Sequence, residues 1–333
     1  MIGCGRIAHS HARAIAALPA LGRITTVADA DPARAAEFAA QFAGSSGTLV
    51  APAVSADLAA AVARADVDAV LLCTPNALHA AQSIQALEAG RHVLVEKPMA
   101  ETVADAERMA EAARRSGRVL VLGQTLRHTA PIRWLQDHRQ DFGRLRAVEV
   151  SMCVRWNGPQ APWWRSRTRE QGLILSLFAP HALDFVQLVF GGEQPVNVHA
   201  EVARFQQDWL GEDEAMILLR YPGGRLAQVH ISYNQQFVVD RRTLHFDDAM
   251  LRIEHGESLW VNDTQVVAPA AQAGDPTRMG GRDLGHYFRT QFEEFVLAVR
   301  GAPHRSVLHE EGVHLTRLLQ QTIESGLRNA PTL

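Results

Sequence analysis

Along the first 122 residues, short apolar runs alternate with longer stretches of helical spacing. Ile24-Thr25-Thr26-Val27-Ala28, Asp68 to Cys73, His92-Val93-Leu94-Val95 and Val119 to Leu122 are the apolar runs. Their lack of polar alternation predicts strands covered on both faces, as in a parallel sheet. Ala-rich stretches such as His11 to Leu18 lie between them, and Asp31-Pro32 has the chemistry of a helix cap followed by its first position. Strand–helix succession at this spacing predicts a doubly wound α/β unit. Beyond it the pattern changes. Segments 145–156, 195–203, 214–221, 225–232 and 241–247 have strand composition, and Tyr221-Pro222-Gly223-Gly224 reads as a hairpin turn. His286 to Arg300 carries Phe292, Phe295 and Val299 at helical spacing, while the Gly/Pro/Ala-rich 268–282 reads as a loop. The chain is thereby divided into 1–122 and 123–333.

The doubly wound unit opens with Gly3-Cys4-Gly5-Arg6-Ile7-Ala8, a G-x-G-x-x-A turn. Glycines there let a pyrophosphate approach the backbone, and the next helix N-terminus faces it. Only Met1 and Ile2 precede the turn, so its strand is expected to be truncated. Asp29 ends the second apolar run, 24 residues after Gly5. An acid at about that distance binds a ribose diol and repels a 2′-phosphate, which favours NAD. Arg34 lies close enough in sequence to keep NADP open. The later runs deliver Thr74-Pro75-Asn76 with His79, Glu96-Lys97-Pro98 and Gln124 to the carboxyl ends of strands, where ligands of such sheets bind.

Composition narrows the field. A length of 333 residues accommodates two cores, and 47% hydrophobic with 21% charged residues is globular. A net charge of −3 without a basic stripe gives no footprint for nucleic acid or anionic membrane. No apolar run reaches the roughly 18 residues of a membrane span. Absence of a leader pattern, and the wide spacing of Cys4, Cys73 and Cys153, predict a cytoplasmic protein. Lysine occurs once, at position 97, against 32 arginines. An arginine bias explains those arginines, but not why one cation is a lysine, whose pKa shifts on burial while arginine stays charged.

Together the Gly-x-Gly-x-x-Ala turn, Thr74-Pro75-Asn76 with His79, and Ala89-Gly90-Arg91-His92-Val93 running into Glu96-Lys97-Pro98 resemble the glucose–fructose oxidoreductase/inositol dehydrogenase (Gfo/Idh/MocA) family. The resemblance extends to Gly143 to Val148, Trp164-Arg165, His181-Ala182-Leu183-Asp184 and the 286–300 segment. It implies a Rossmann domain (1–122) and an α+β domain (123–333) with an open, largely antiparallel sheet. It also implies a homodimer or homotetramer formed through that sheet. By position it makes Lys97 the hydrogen-bonding partner of the reacting hydroxyl and His181 the acid or base. Histidine suits that role because it titrates near neutrality. Gly3, Gly5, Arg6, Ile7, Asp29, Thr74, Pro75, Asn76, His79, Glu96, Lys97 and Gln124 become the cofactor-binding set. Lys97, Arg127, Trp164, Arg165, His181 and Asp184 become the substrate set, with Asp184 placed to orient the imidazole three residues before it. Trp163 and Trp164 read equally as core residues. His9 and His11 read as helix-start polar residues, and no metal site is expected.

One departure stands out. Many dehydrogenases of the family have an aspartate four residues before the histidine, where this chain has Leu177, and their triple glycine is reduced to Gly172. Loss of that carboxylate predicts a more weakly charged Lys97. The expected activity is NAD(P)-dependent hydride transfer between a nicotinamide cofactor and a secondary alcohol or ketone of a sugar, sugar acid or cyclitol. A redox-assisted lyase or glycosidase that recycles bound NAD, and a non-catalytic dinucleotide-dependent regulator, are the alternatives.

Overall fold

The computed structural model describes residues 1–43, 51–156, 162–206, 208–269 and 284–329. The strands in chain order are β1 (Thr26–Val27), β2 (Ala53–Val54), β3 (Ala69–Leu72), β4 (His92–Glu96), β5 (Leu120–Gly123), β6 (Leu145–Arg155) and β7 (Asn197–Ala203). They continue as β8 (Glu214–Arg220), β9 (Leu226–Ser232), β10 (Asn234–Phe246), β11 (Met250–Glu254), β12 (Ser258–Val261), β13 (Thr264–Val267) and β14 (Val307–Leu308). The helices are α1 (Arg6–Ala16), α2 (Pro32–Gln41), α3 (Leu58–Val62), α4 (His79–Glu88), α5 (Val103–Ser116) and α6 (Ala130–His138). After them come α7 (Pro162–Arg165), α8 (Ile174–Leu177), α9 (Ala179–Val189), α10 (Gly285–Val299) and α11 (His309–Asn329). Contacts divide the chain into a first unit, 1–125 with 284–316, and a second, 126–283 with 317–333.

In the first unit β3, β4 and β5 pair in parallel. Ile2 bridges Leu72 on one side and Ala28 on the other, and β1 pairs in parallel with β2. The sheet therefore runs β2-β1-Met1/Ile2-β3-β4-β5, with β14 added antiparallel at β5. Met1 and Ile2 lie in the middle of the sheet and border a cavity of about 600 Å³ also edged by Ile24, Ala69, Phe292 and Val299. That cavity lies at the amino ends of the strands, away from the glycine turn.

Helix ends follow local chemistry. Asp31 accepts from the backbone of Ala33 and Arg34 to start α2, and Thr102 accepts from Asp105 to start α5. Ala8 and Ala12, fully buried, let α1 lie against Val27, Leu94 and Val121, while Phe295 and Ala298 of α10 close the same core. Each large apolar side chain buried there stabilises the fold by about 1.5–3 kcal/mol. The sequence division at 122/123 leaves 284–316 with the second half, whereas β14 and α10 belong to the first unit. A helical pattern reveals an apolar face but not which core receives it.

The second unit is built on an eight-stranded sheet ordered β13-β12-β11-β10-β6-β9-β8-β7. All neighbours are antiparallel except β6 and β9. β8 reads the alternation directly: Ala215, Ile217 and Leu219 are buried while Met216, Leu218 and Arg220 face outward. α9 packs on β6 and β9, burying Ala182, Leu183 and Val186 completely. On the other face Met216, Leu218, Leu226 and Met250 stay 38–47% exposed. The 268–282 loop falls, from residue 270 on, outside the described residues. Among the described residues no helix is long and apolar enough to cross a membrane, and no group of three or more His, Cys, Asp or Glu side chains is placed to hold a metal.

Candidate active site

The glycine turn is shaped for a phosphate. Gly3 has φ +84°, and a Cβ there would sit 2.7 Å from the Cys73 carbonyl oxygen, so only glycine fits. A Cβ on Gly5 would meet nothing within 4 Å. Gly5 caps α1 without any side-chain hydrogen bond, so the first backbone N–H groups of the 11-residue helix stand ready for an anion. Arg6 follows, and Ile7 is 36% exposed. A cavity of about 260 Å³ beside Gly5, Arg6 and His9 extends to Arg34, Glu37 and Phe38 on α2.

Asp29 sits at the next strand end with its side chain 7% exposed. Oδ2 accepts from the Cys4 N–H (2.8 Å), and Oδ1 accepts from the Asp31 N–H (2.9 Å) and Arg34 Nη1 (3.2 Å). An ionised carboxylate has about four lone-pair sites, so these bonds orient Asp29 and leave one acceptor position for a diol. Asn76 offers a second sign of a missing partner: it is 5% exposed, and its Nδ2 has no hydrogen-bond acceptor. An open helix N-terminus, an oriented acid and an orphaned amide fit a dinucleotide.

β4 ends at Glu96, and Lys97 follows before a cis peptide to Pro98. His79, 1% exposed, lies with Nδ1 2.8 Å from the Pro98 carbonyl and Nε2 2.9 Å from that of Thr74. Its ring lies between the Lys97 and Thr74 turns; burial holds its pKa below the usual value, so the neutral ring donates to one of the two carbonyls. Thr74 donates its hydroxyl to Gln82 (2.6 Å), so α4 fixes that loop too. Gln124, 1% exposed, closes the row at the end of β5. Burial pulls the Lys97 ammonium below its ordinary value; Glu96 opposes this and Arg6 adds to it.

His11, expected as a helix-start polar residue, is buried at 2% and its Nε2 lies 2.7 Å from Glu96 Oε1. Position was the available signal: His11 shares the inward stripe of α1 with Ala8, Ala12 and Ile15.

In the second unit, His181 is half-buried in the first turn of α9, with its N–H bonded to the Phe178 carbonyl. One turn on, Asp184 takes a bidentate contact from Arg127: Nε to Oδ2 and Nη2 to Oδ1, both 2.8 Å. Both side chains are 4% exposed. The two therefore form a buried ion pair anchoring α9, and Arg127 engages both oxygens of the acid expected to serve the imidazole.

The loop before α8, where the family's glycines would lie, is held by polar side chains. Arg167 donates to the carbonyls of Gln171 and Gly172, both at 2.8 Å. Glu212 Oε1 accepts the N–H groups of Leu173 (2.7 Å) and Leu175 (3.0 Å). Burial raises its carboxyl to about 7 against those stabilising bonds. Sequence reading missed Glu212 because it stands in the acidic run Glu212-Asp213-Glu214, which looks like a solvated loop. Leu177 is buried. Trp164 packs 5.9 Å from Trp156, which lies 5.5 Å from Tyr233, itself 5.5 Å from Phe178 at the start of α9. Arg165 is exposed, and the Trp163 side chain lies outside the described residues.

Comparison with known proteins agrees with this arrangement. Residues 1–124 match the family model described as oxidoreductase family, NAD-binding Rossmann fold, and 138–252 match the GFO/IDH/MocA C-terminal domain. A 1,5-anhydro-D-fructose reductase of Ensifer adhaerens is 29% identical over 252 residues, 74% of each chain. Inositol 2-dehydrogenase 3 of Saccharopolyspora erythraea is 29% identical over 245 residues, 72% of this chain and 68% of that one. Among solved structures, a levoglucosan dehydrogenase in complex with NADH and levoglucosan superposes with a TM-score of 0.83 at 21% identity, covering 98% of this chain and 96% of that one. The chain is thus a member of the Gfo/Idh/MocA family of oxidoreductases, with an NAD-binding Rossmann unit and the family's C-terminal domain.

Proposed function

We propose that this protein is an NAD(P)-dependent dehydrogenase or reductase that interconverts a secondary alcohol and a ketone on a cyclic carbohydrate, sugar acid or cyclitol. The observation that carries the reading is the meeting, at the carboxyl edge of one parallel sheet, of an uncapped helix N-terminus, an oriented Asp29 and the chain's sole lysine. The nicotinamide supplies or accepts the hydride when bound. The turn from Gly3 to Ile7 holds the pyrophosphate and Asp29 the ribose diol, while Thr74, Pro75, Asn76, Glu96 and Gln124 line the way to the nicotinamide.

Lys97 donates to the reacting oxygen, which stabilises negative charge developing there. His181 takes or returns the hydroxyl proton at its imidazole. Trp164 and Arg165 contact the ring, while Arg127 and Asp184 act through α9 as a pair rather than as direct substrate contacts. The first unit is the cofactor domain. The second carries substrate and a homo-oligomer interface on its open sheet face, where Met216, Leu218, Leu226 and Met250 are exposed. Three free cysteines fit a cytoplasmic setting.

The test is a panel of sugars, sugar acids and cyclitols with NAD and NADP, followed by absorbance of the reduced nicotinamide. Turnover with one class is the expected result, and Lys97→Arg should lower it on the order of 10²-fold or more while leaving fold and dinucleotide affinity intact. Silence across the panel despite dinucleotide binding would point to a regulatory protein. Product formation without NADH accumulation would point to a redox-assisted lyase.

A further inference from the structure

We infer that His11 and Glu96 form a positioning dyad that keeps a carboxylate ionised at the root of Lys97 and so sets the charge state of that lysine. The inference rests on the assignment of Lys97 as the group facing the reacting oxygen. It starts from geometry. Glu96 is the last residue of β4, 8% exposed, and its two oxygens are separately engaged. Oε1 meets His11 Nε2 at 2.7 Å, and Oε2 accepts the backbone N–H of Lys97 at 3.2 Å. A carboxylate taken this far from water reverts to the neutral acid unless donors hold it. Here the donors suffice: burial pushes the group up, and the His11 bond with the charges of His11 and Lys97 brings it below the ordinary range.

The histidine is itself held. Its ring packs edge-on against Phe288 of α10, with centroids 4.8 Å apart, and it is buried away from water. A strand-end carboxylate that needed only a structural donor could take one from any nearby amide. A buried imidazole 85 residues away in sequence, aimed from the Gly-turn helix, also couples the cofactor-binding turn to the Lys97 loop.

Cys73, His79 and Arg6 also bear on the dyad or on Lys97. Cys73, at the end of β3, feels the Glu96 charge, and burial drives its thiol well above the ordinary value. His79 on α4 faces Glu96 and Glu101, and burial keeps it low. Arg6 on α1 is the cation opposing charge on Lys97. Thus Glu96 is the anion that favours the Lys97 ammonium, set against burial and Arg6. Remove the donor from Glu96, and burial acts on the acid with less opposition, which favours its neutral form and weakens the ammonium's counter-charge.

The single lysine makes the test unambiguous. Reductive methylation with ¹³C-formaldehyde labels only Lys97 and the terminal amine, and loss of one signal in Lys97→Arg assigns the other. The pH titration of the Lys97 signal then reads its pKa without substrate or turnover. Glu96→Gln should lower that pKa by roughly 1 to 3 units, the size of losing one close opposite charge. His11→Ala should lower it in the same direction, and His11→Gln, which keeps an N–H donor toward Oε1, should restore it to near the wild-type value. The lysine-dependent limb of the kcat profile should move with it. A Lys97 titration unchanged in Glu96→Gln, with only thermal stability lost, would reduce the dyad to a structural tie and overturn the inference. Should His11→Ala not fold, Glu96→Gln and His11→Gln decide alone. Because the titration needs no substrate, failure here leaves the dehydrogenase reading standing, and a silent substrate panel leaves the titration informative.

Discussion

The carboxyl edge of the parallel sheet and the start of α9 both gather buried ionisable groups, yet they employ them differently. At the sheet edge, Asp29 and Glu96 are oriented by backbone N–H groups and a histidine, and Asp29 keeps an acceptor position toward a ligand. Around α9, Asp184 is engaged at both oxygens by Arg127, Arg167 is taken up by loop carbonyls, and Glu212 by loop amides. On the proposed reading, charge at the sheet edge serves the ligand, whereas around α9 it ties side chains and loop backbone together. Substitutions should separate the two: the first kind costs turnover with the fold intact, the second costs stability.

The sharpest break would come from Asp184→Asn. It strips the counter-charge from a guanidinium that is 4% exposed, which costs about 3–5 kcal/mol of unfolding free energy. The double variant Arg127→Met with Asp184→Leu should regain most of that, because it removes both charges together. Urea denaturation measures both. If Asp184→Asn unfolds like the wild type but loses turnover, the pair belongs to the chemistry and the contrast fails.

Glu212 gives a pH-resolved version of the same contrast. Its carboxyl lies at about 7 in the folded chain against an ordinary 4.5. Between those values the folded state holds a proton that the unfolded chain releases. This contribution to stability therefore falls as pH rises from 4.5 to 7 and is constant above, a loss of about 3 kcal/mol. Glu212→Gln keeps an acceptor for Leu173 and Leu175 without the titration, so its stability should be flatter across that window. A wild-type difference curve with no slope there would remove Glu212 as a buried acid.

Legibility from sequence follows the same line. Strands β3, β4 and β5 announced themselves as apolar runs, and the candidate residues they carry follow closely in the chain: Thr74, Glu96, Lys97 and Gln124 within two residues of a strand end, Pro75, Asn76 and His79 within seven. The second unit was harder. β11 to β13 are short strands of mixed polarity at the sheet edge, and the polar opening of β10, Asn234-Gln235-Gln236, hides a strand that begins well before 241. Arg127 and Asp184 were visible as candidates, but their mutual claim spans 57 residues, and no local pattern reports it. Glu212 binds only backbone amides, which leave no trace in side-chain types. His11 and Glu96 both lay in view, but no local pattern reports their pairing across 85 residues.

The smallest effect tests whether Asp29 is truly poised for a ligand or partly spent on Arg34. The Arg34 side chain is 54% exposed and reaches Asp29 at 3.2 Å and Asp31 at 3.6 Å. An ion pair with that exposure is worth about 0–1 kcal/mol, so Arg34→Ala should leave stability nearly unchanged. Cofactor choice should still move. Loss of the guanidinium removes the nearest cation on α2 that a 2′-phosphate would meet, while Asp29 keeps its bonds from Cys4 and Asp31 and stays oriented for a diol. The ratio of kcat/KM for NAD over NADP should therefore rise, by about fivefold at most for an interaction of that size. Parallel initial-rate measurements with the two cofactors decide it. A fall in the ratio would mean that Arg34 orients Asp29 for the ribose, and that the acid, like Asp184, depends on an arginine to do its work.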